Sequence, residues 1–83
     1  MKQHYVYVLF SKRCQRTYVG ETASPEQRLK QHNAGKVRST KAFAPWERII
    51  LECHETRILA LERERWLKTR AGRDYLRTIM AAL

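Results

Sequence analysis

Acidic residues are scarce in this chain: eight Asp and Glu stand against seventeen Lys and Arg, for a net charge of +9 and a pI near 10.2. A field of that sign attracts polyanions and speeds their association through counterion release. Cysteine is scarcer still. Cys14 and Cys53 lie 39 positions apart with no Cys-x-x-Cys pair, which reads as two free thiols in a reducing compartment rather than a disulfide or zinc framework. His54 follows Cys53 directly, but neighbouring strand residues point to opposite faces and cannot share a metal. No apolar run approaches the ~18 residues of a membrane span, and the start "MKQHYVYV" lacks a signal-peptide pattern. These absences lead us to expect a soluble, cytoplasmic protein with no membrane partner. Repeats and low-complexity tracts are missing too. The 83 residues fit one domain, 1–83, and a chain this short buries only ~60% of its unfolded surface.

What is present is arginine. Eleven of the seventeen basic residues are Arg, the side chain suited to bidentate phosphate contacts, so charge and size point to a nucleic-acid partner. The stretch "YVYVLF" at 5–10 is aromatic and β-branched, and "TYVG" at 17–20 reads as a second strand after a polar turn. If Tyr7 faces Tyr18, Ser11–Cys14 form a four-residue loop and the two phenols sit side by side. Val6, Val8, Phe10 and Val19 then face the core. In "SPEQRLKQHNAGK", Ser24 reads as N-cap, Pro25 as first helical residue, Gln27 as the partner of a capping box and Gly35 as the stop. Arg28 and His32 share one face of that helix, beside a polar site or solvent.

The loop "KVRSTKAFAP" at 36–45 carries Lys36, Arg38 and Lys41, with Ser39 and Thr40 as further donors, and fits a phosphate-contacting loop. "WERIILECH" at 46–54 is a strand whose run Ile49, Ile50, Leu51 suggests the middle of a sheet. Thr56 caps a helix "RILALERERWLKTR", Gly72 interrupts it, and a last helix carries Tyr75, Leu76, Ile79, Met80 and Leu83 on one stripe. The order β-β-α-β-α-α predicts an α+β domain, a three-stranded antiparallel sheet flanked by helices that pack on one side. Glu62 and Glu64 both have apolar helical neighbours, so spacing does not choose between them.

The pieces "YVY" at 5–7, "YVG" at 18–20, Arg28, His32, "HNAGK", Thr40, Pro45 and "ALERERWLK" together resemble the GIY-YIG nucleases, over about residues 4 to 70. That family includes homing endonucleases, restriction enzymes, an incision domain of excision repair and small stand-alone proteins; this chain is similar to the last. The resemblance selects Glu64 over Glu62. It implies a metal-dependent DNA endonuclease of low sequence specificity, structure-selective and related to DNA repair. Glu64 would be the sole protein ligand of Mg²⁺ or Mn²⁺. Arg28 would neutralise charge on the pentacovalent phosphate, Tyr7 or Tyr18 would take a proton from water, and His32 would orient a tyrosine or touch the phosphate. Metal and Arg28 would lower the phenol's pKa. The implied substrate is DNA, single-stranded or branched, with RNA left open, and the implied state is a monomer or weak dimer. The competing reading is a non-catalytic nucleic-acid-binding module that keeps the fold. Three positions depart from the family pattern: Tyr5 replaces a glycine, Glu21 replaces a lysine of some members, and no Asn follows the helix of Glu64.

Overall fold

Strand-forming residues at both ends of a polar tip build a hairpin from β1, His4–Ser11, and β2, Arg16–Thr22. The computed structural model describes residues 3–83. After the hairpin come α1, Pro25–Asn33, a 3₁₀ turn at Lys41–Phe43, β3, Glu47–His54, α2, Arg57–Leu67, and α3, Arg70–Ala81. The sheet is antiparallel throughout, in the order β2-β1-β3. The α+β class and the element order are those read from the sequence. Among the described residues no helix is long and apolar enough to cross a membrane.

Four details differ from expectation. β3 is an edge strand, and β1 occupies the centre. Its apolar run has another cause. The β1–β3 register shifts between Val8 and Leu9, so Val8 faces Ile50 while Leu9 faces Arg48. An extra residue in one strand rotates its neighbours, and both Ile49 and Ile50 pack against the same cluster of Val6, Val8, Val19, Ala60, Leu67 and Leu76.

Second, the helices do not share one side. α2 and α3 supply Ala60, Leu67 and Leu76 to that first cluster, while Tyr7, Leu9 and Trp46 form another with Leu29 of α1 and Phe43 beside them. Successive β1 residues point to opposite faces, so Val6 and Val8 serve one cluster and Tyr7 and Leu9 the other. Both faces of the sheet are covered.

Third, the α2–α3 break falls at Lys68–Thr69 and not at Gly72, because Thr69 caps α3, its hydroxyl accepting from the Gly72 N–H at 3.2 Å. Gly72 lies inside α3, where a Cβ would sit 2.6 Å from the Leu67 carbonyl carbon. Close approach of the two helices is its purpose. Fourth, Ser24 occupies the N-cap position of α1 without a side-chain cap bond; Thr22 Oγ1 accepts from the Ser24 N–H at 3.1 Å instead. Thr56 does cap α2, accepting from Leu59 N–H, and Gly35 ends α1 with φ +75°.

α2 is strapped to β3 by Arg63, whose guanidinium holds both Glu52 oxygens at 3.0 to 3.3 Å and lies 4.6 Å from the Trp66 ring centre. Trp66 and Tyr75 form a tilted pair outside the core, so Tyr75 leaves the apolar stripe predicted for the last helix, and Leu83 is exposed as well. Helix propensity alone would have Gly72→Ala stabilise α3 by up to ~1 kcal/mol. Collision with fixed backbone should reverse the sign, and urea unfolding is expected to show a loss of about 1–3 kcal/mol.

Candidate active site

Tyr7 and Tyr18 emerge on one face of the hairpin, but not directly opposite each other. Tyr7 pairs with Gly20 and Leu9 with Tyr18, and the tight loop is Lys12–Gln15. The phenols are therefore diagonal neighbours, with ring centres 6.2 Å apart. The loop keeps its four-residue length but lies one residue further along, which moves the register by two and lets Ser11 pair with Arg16. The diagonal placement gives Tyr7 a floor: its ring lies over Gly20, where a Cβ would stand 2.6 Å from the ring's Cζ. The glycine of "YVG" makes room for the phenol.

α1 brings Arg28 and His32 to the same face, one turn apart. His32 is fully buried, edge-on to Tyr7 at 5.7 Å and tilted to Tyr18 at 5.0 Å between ring centres. Its Nε2 lies 3.0 Å from the Tyr7 hydroxyl, and its Nδ1 lies 2.7 Å from Thr40 Oγ1. Thr40 in turn donates to the Val37 carbonyl at 3.3 Å, and its own carbonyl accepts from the Trp46 indole N–H at 3.0 Å. Asn33 adds a clamp: its amide accepts from the Trp46 N–H at 2.6 Å and donates to the Trp46 carbonyl at 3.1 Å. α1 and the 36–46 segment are thus fastened together around His32.

Electrostatics keep this buried pair neutral. Burial pushes the Tyr7 phenol above its ordinary value of 10.0; Arg28 opposes by hydrogen bonding and charge, while Tyr18 and Glu64 add to the rise. Arg28 does pull the Tyr7 phenol down, but desolvation outweighs it. Burial, and then the Arg28 charge, hold His32 below 6.5. Arg28 itself donates to Gln31 Oε1 at 3.1 Å and borders an open polar cleft of ≈ 290 Å³ with Glu21, Thr22, Ser24 and Gln27.

Glu64 projects from α2 with 22% of its side chain exposed, whereas Glu62 is exposed outright. The Glu64 charge is the smallest of the influences on the Tyr7 phenol, and its partner Lys68 lines a cleft together with Tyr18. Lys68 Nζ lies 3.0 Å from Oε2, one helical turn on. Among the described residues no three His, Cys, Asp or Glu side chains gather into a metal cluster. A lone carboxylate suits a hard cation such as Mg²⁺, which keeps most of its waters and takes the remaining oxygens from phosphate. It does not suit zinc, which takes three or four protein ligands. The donor set fits the ion that the sequence implied, with Lys68 as the cation to be displaced.

The loop has two sides. Lys36, Arg38, Ser39 and Lys41 are exposed, as a phosphate-contacting surface requires. Thr40 is only 1% exposed and its hydroxyl is committed inward, which removes it from that surface. From behind, Ser11 Oγ donates to the Phe43 carbonyl, Arg13 to the Ala42 and Ala44 carbonyls, and Arg16 covers the Phe43 ring at 4.5 Å. Sequence reasoning missed Gly20, Asn33, Trp46 and the inward role of Thr40. The spacing from His32 to Thr40 crosses a glycine turn and carries no periodic signal, so nothing local marks that contact.

Two groups make stability depend on pH. His32, held low by burial and Arg28, stabilises the fold fully above 6.5, and this contribution is lost as pH falls from there through its lower folded value. At Glu52 burial pushes up, but the Arg63 hydrogen bonds and charge win, so its contribution is complete above 4.5 and lost below it. Urea unfolding between pH 8 and 4 is expected to show a first loss starting below 6.5. His32→Gln should abolish that first loss, leaving only the one below 4.5; an unchanged first phase would contradict the assignment.

With these positions established, comparison places the chain among known proteins. A family model described as the GIY-YIG catalytic domain matches residues 3–76. A UPF0213 protein of Haloquadratum walsbyi is 36% identical over 69 residues, covering 80% of this chain and 74% of that protein. Another UPF0213 protein, from Staphylococcus haemolyticus, is 34% identical over 80 residues, covering 95% and 96% respectively. The solution NMR structure of a UPF0213 protein from Bacillus halodurans matches with a TM-score of 0.56 and 26% identity, over 93% of this chain and 84% of that one. The hairpin with Tyr7 and Tyr18, the helix of Arg28 and His32 and the helix of Glu64 all fall within the matched span, and the chain belongs to the GIY-YIG catalytic-domain family.

Proposed function

We propose that the protein is a divalent-metal-dependent DNA endonuclease of low sequence specificity, acting on single-stranded or branched DNA in a repair setting in the cytoplasm. The observation that carries this reading is the gathering of Tyr7, Tyr18, Arg28 and His32 on one face of the sheet, with Glu64 bonded to Lys68, which shares a cleft with Tyr18. The exposed cations Lys36, Arg38 and Lys41, with Ser39 beside them, favour backbone contacts over base reading. RNA is a competitor to be tested, and a monomer or weak dimer is the working state.

Each side chain has a chemical task. Arg28 presents a planar fork to two oxygens of the scissile phosphate and neutralises charge that develops there. Tyr7 is held protonated by burial, 3.0 Å from His32 Nε2, so its oxygen can take a proton from water only as its own proton leaves toward His32. Phosphate negative charge offsets the imidazolium that results. Tyr18, less buried and 5.0 Å from His32 between ring centres, would bond a phosphate oxygen. Glu64 would hold the metal, which supplies Lewis-acid stabilisation of the leaving oxygen.

Purified protein with Mg²⁺ or Mn²⁺ is expected to nick DNA, with EDTA stopping the reaction. Glu64→Ala should abolish cleavage while changing stability by no more than about 0.5 kcal/mol, since only an i,i+4 ion pair is lost. Arg28→Ala should lower kcat by about 10²–10³-fold, as loss of a donor to a developing oxyanion does. A panel of nicked, flapped, branched and single-stranded DNA, run with wild type and Glu64→Ala together, checks both. Equal trace cleavage by the two proteins would leave the non-catalytic binding module as the reading.

A further inference from the structure

Thr40 has its hydroxyl turned away from solvent and into the centre, though it belongs to the loop whose other polar residues face outward. We infer that Thr40 is a positioning residue that fixes the tautomer of His32 and thereby the direction in which the Tyr7 proton points. This deepens the nuclease reading and rests on it for its catalytic consequence, but the geometry stands on its own bonds.

A hydroxyl has one proton to give. With that proton directed to the Val37 carbonyl 3.3 Å away, Oγ1 faces His32 Nδ1 with a lone pair, and we assign the 2.7 Å contact as Nδ1–H donating to Oγ1. A neutral imidazole with its proton on Nδ1 has a bare Nε2, and the Tyr7 hydroxyl 3.0 Å away donates to it. The phenol's lone pairs are then left for Arg28, whose hydrogen bonding and charge act on the phenol. The opposite tautomer would place Nε2–H against Tyr7, occupy the phenol oxygen as an acceptor and turn its proton outward. Only the first arrangement lets water pass a proton to Tyr7 Oη as the Tyr7 proton moves to His32 Nε2. The hydroxide then bonds to phosphorus, the bond from phosphorus to the leaving oxygen breaks, the phenol passes its proton through solvent to that leaving oxygen, and the proton held by His32 returns to the phenol.

The charged and titratable groups around this relay are Arg28 from α1, Tyr18 from β2 and Glu64 from α2. None of them contacts Nδ1, so Thr40 is the group that chooses the proton's place there. The Trp46 indole holds the Thr40 carbonyl at 3.0 Å and so holds the backbone from which that hydroxyl projects.

Long-range ¹H–¹⁵N correlation spectra of the whole protein, without metal or nucleic acid, read the tautomer directly. Wild type at neutral to mildly basic pH is expected to show His32 protonated on Nδ1 alone. Thr40→Ser should keep that pattern, and Thr40→Val, which removes the acceptor while preserving volume, should move the proton to Nε2. In the cleavage assay Thr40→Val should lower kcat by about 10–100-fold with KM little changed, and Thr40→Ser should restore the rate. A wild-type imidazole protonated on Nε2 overturns the inference, as does Thr40→Val retaining both Nδ1–H and full kcat. If Thr40→Val does not fold, the wild-type and Thr40→Ser spectra still decide. Should the nuclease reading fail instead, no variant will cleave while the tautomer pattern stays as stated.

Discussion

A continuous chain of buried hydrogen bonds, from the Tyr7 hydroxyl through His32 to Thr40, organises one side of this molecule. Polar groups taken out of water must find partners, and a half-satisfied set destabilises more than an apolar filling would. Here each member is matched by another from a different segment: a strand, a helix and a loop. The same bonds that make the fold legal on that face also hold a phenol and an imidazole in a fixed relation. Structural and chemical requirements coincide at these three residues.

The arrangement of charge follows from that burial. The inner pair is kept neutral because desolvation raises Tyr7 and lowers His32. Arg28 stands beside it at the mouth of a polar cleft, and Lys36, Arg38 and Lys41 lie on the outside of the loop that Thr40 anchors. Positive charge thus flanks a neutral pair on the α1 and loop side, with the carboxylates of Glu21 and Glu64 elsewhere around it. A polyanion arriving at this face would bring the negative charge that makes a transient imidazolium tolerable, which the free protein lacks.

Much of this was legible from residue types. The strand "YVYVLF", the Thr56 cap and the Gly35 stop each state their element through local chemistry, and all three stand in the structure. The shared face of Tyr7 and Tyr18 was legible too, since parity along a strand survives a register shift of two. What was hidden depended on other segments. Ile49 and Ile50 read as a central strand, but a register irregularity produces the same apolar run at an edge. Gly72 read as a helix breaker, whereas close packing against Leu67 is what it serves. Thr40 read as a surface donor because a loop hydroxyl gives no sign of which way it turns.

The central claim is that a phosphate is processed on the Tyr7–His32 face. A crystal structure of the Tyr7→Phe variant with Mg²⁺ and a short branched DNA tests it most directly. The account predicts a backbone phosphate within hydrogen-bond distance of Arg28 and Tyr18, with the metal between that phosphate and Glu64. Nucleic acid bound only on the opposite side, against Trp66 and Tyr75, would contradict it.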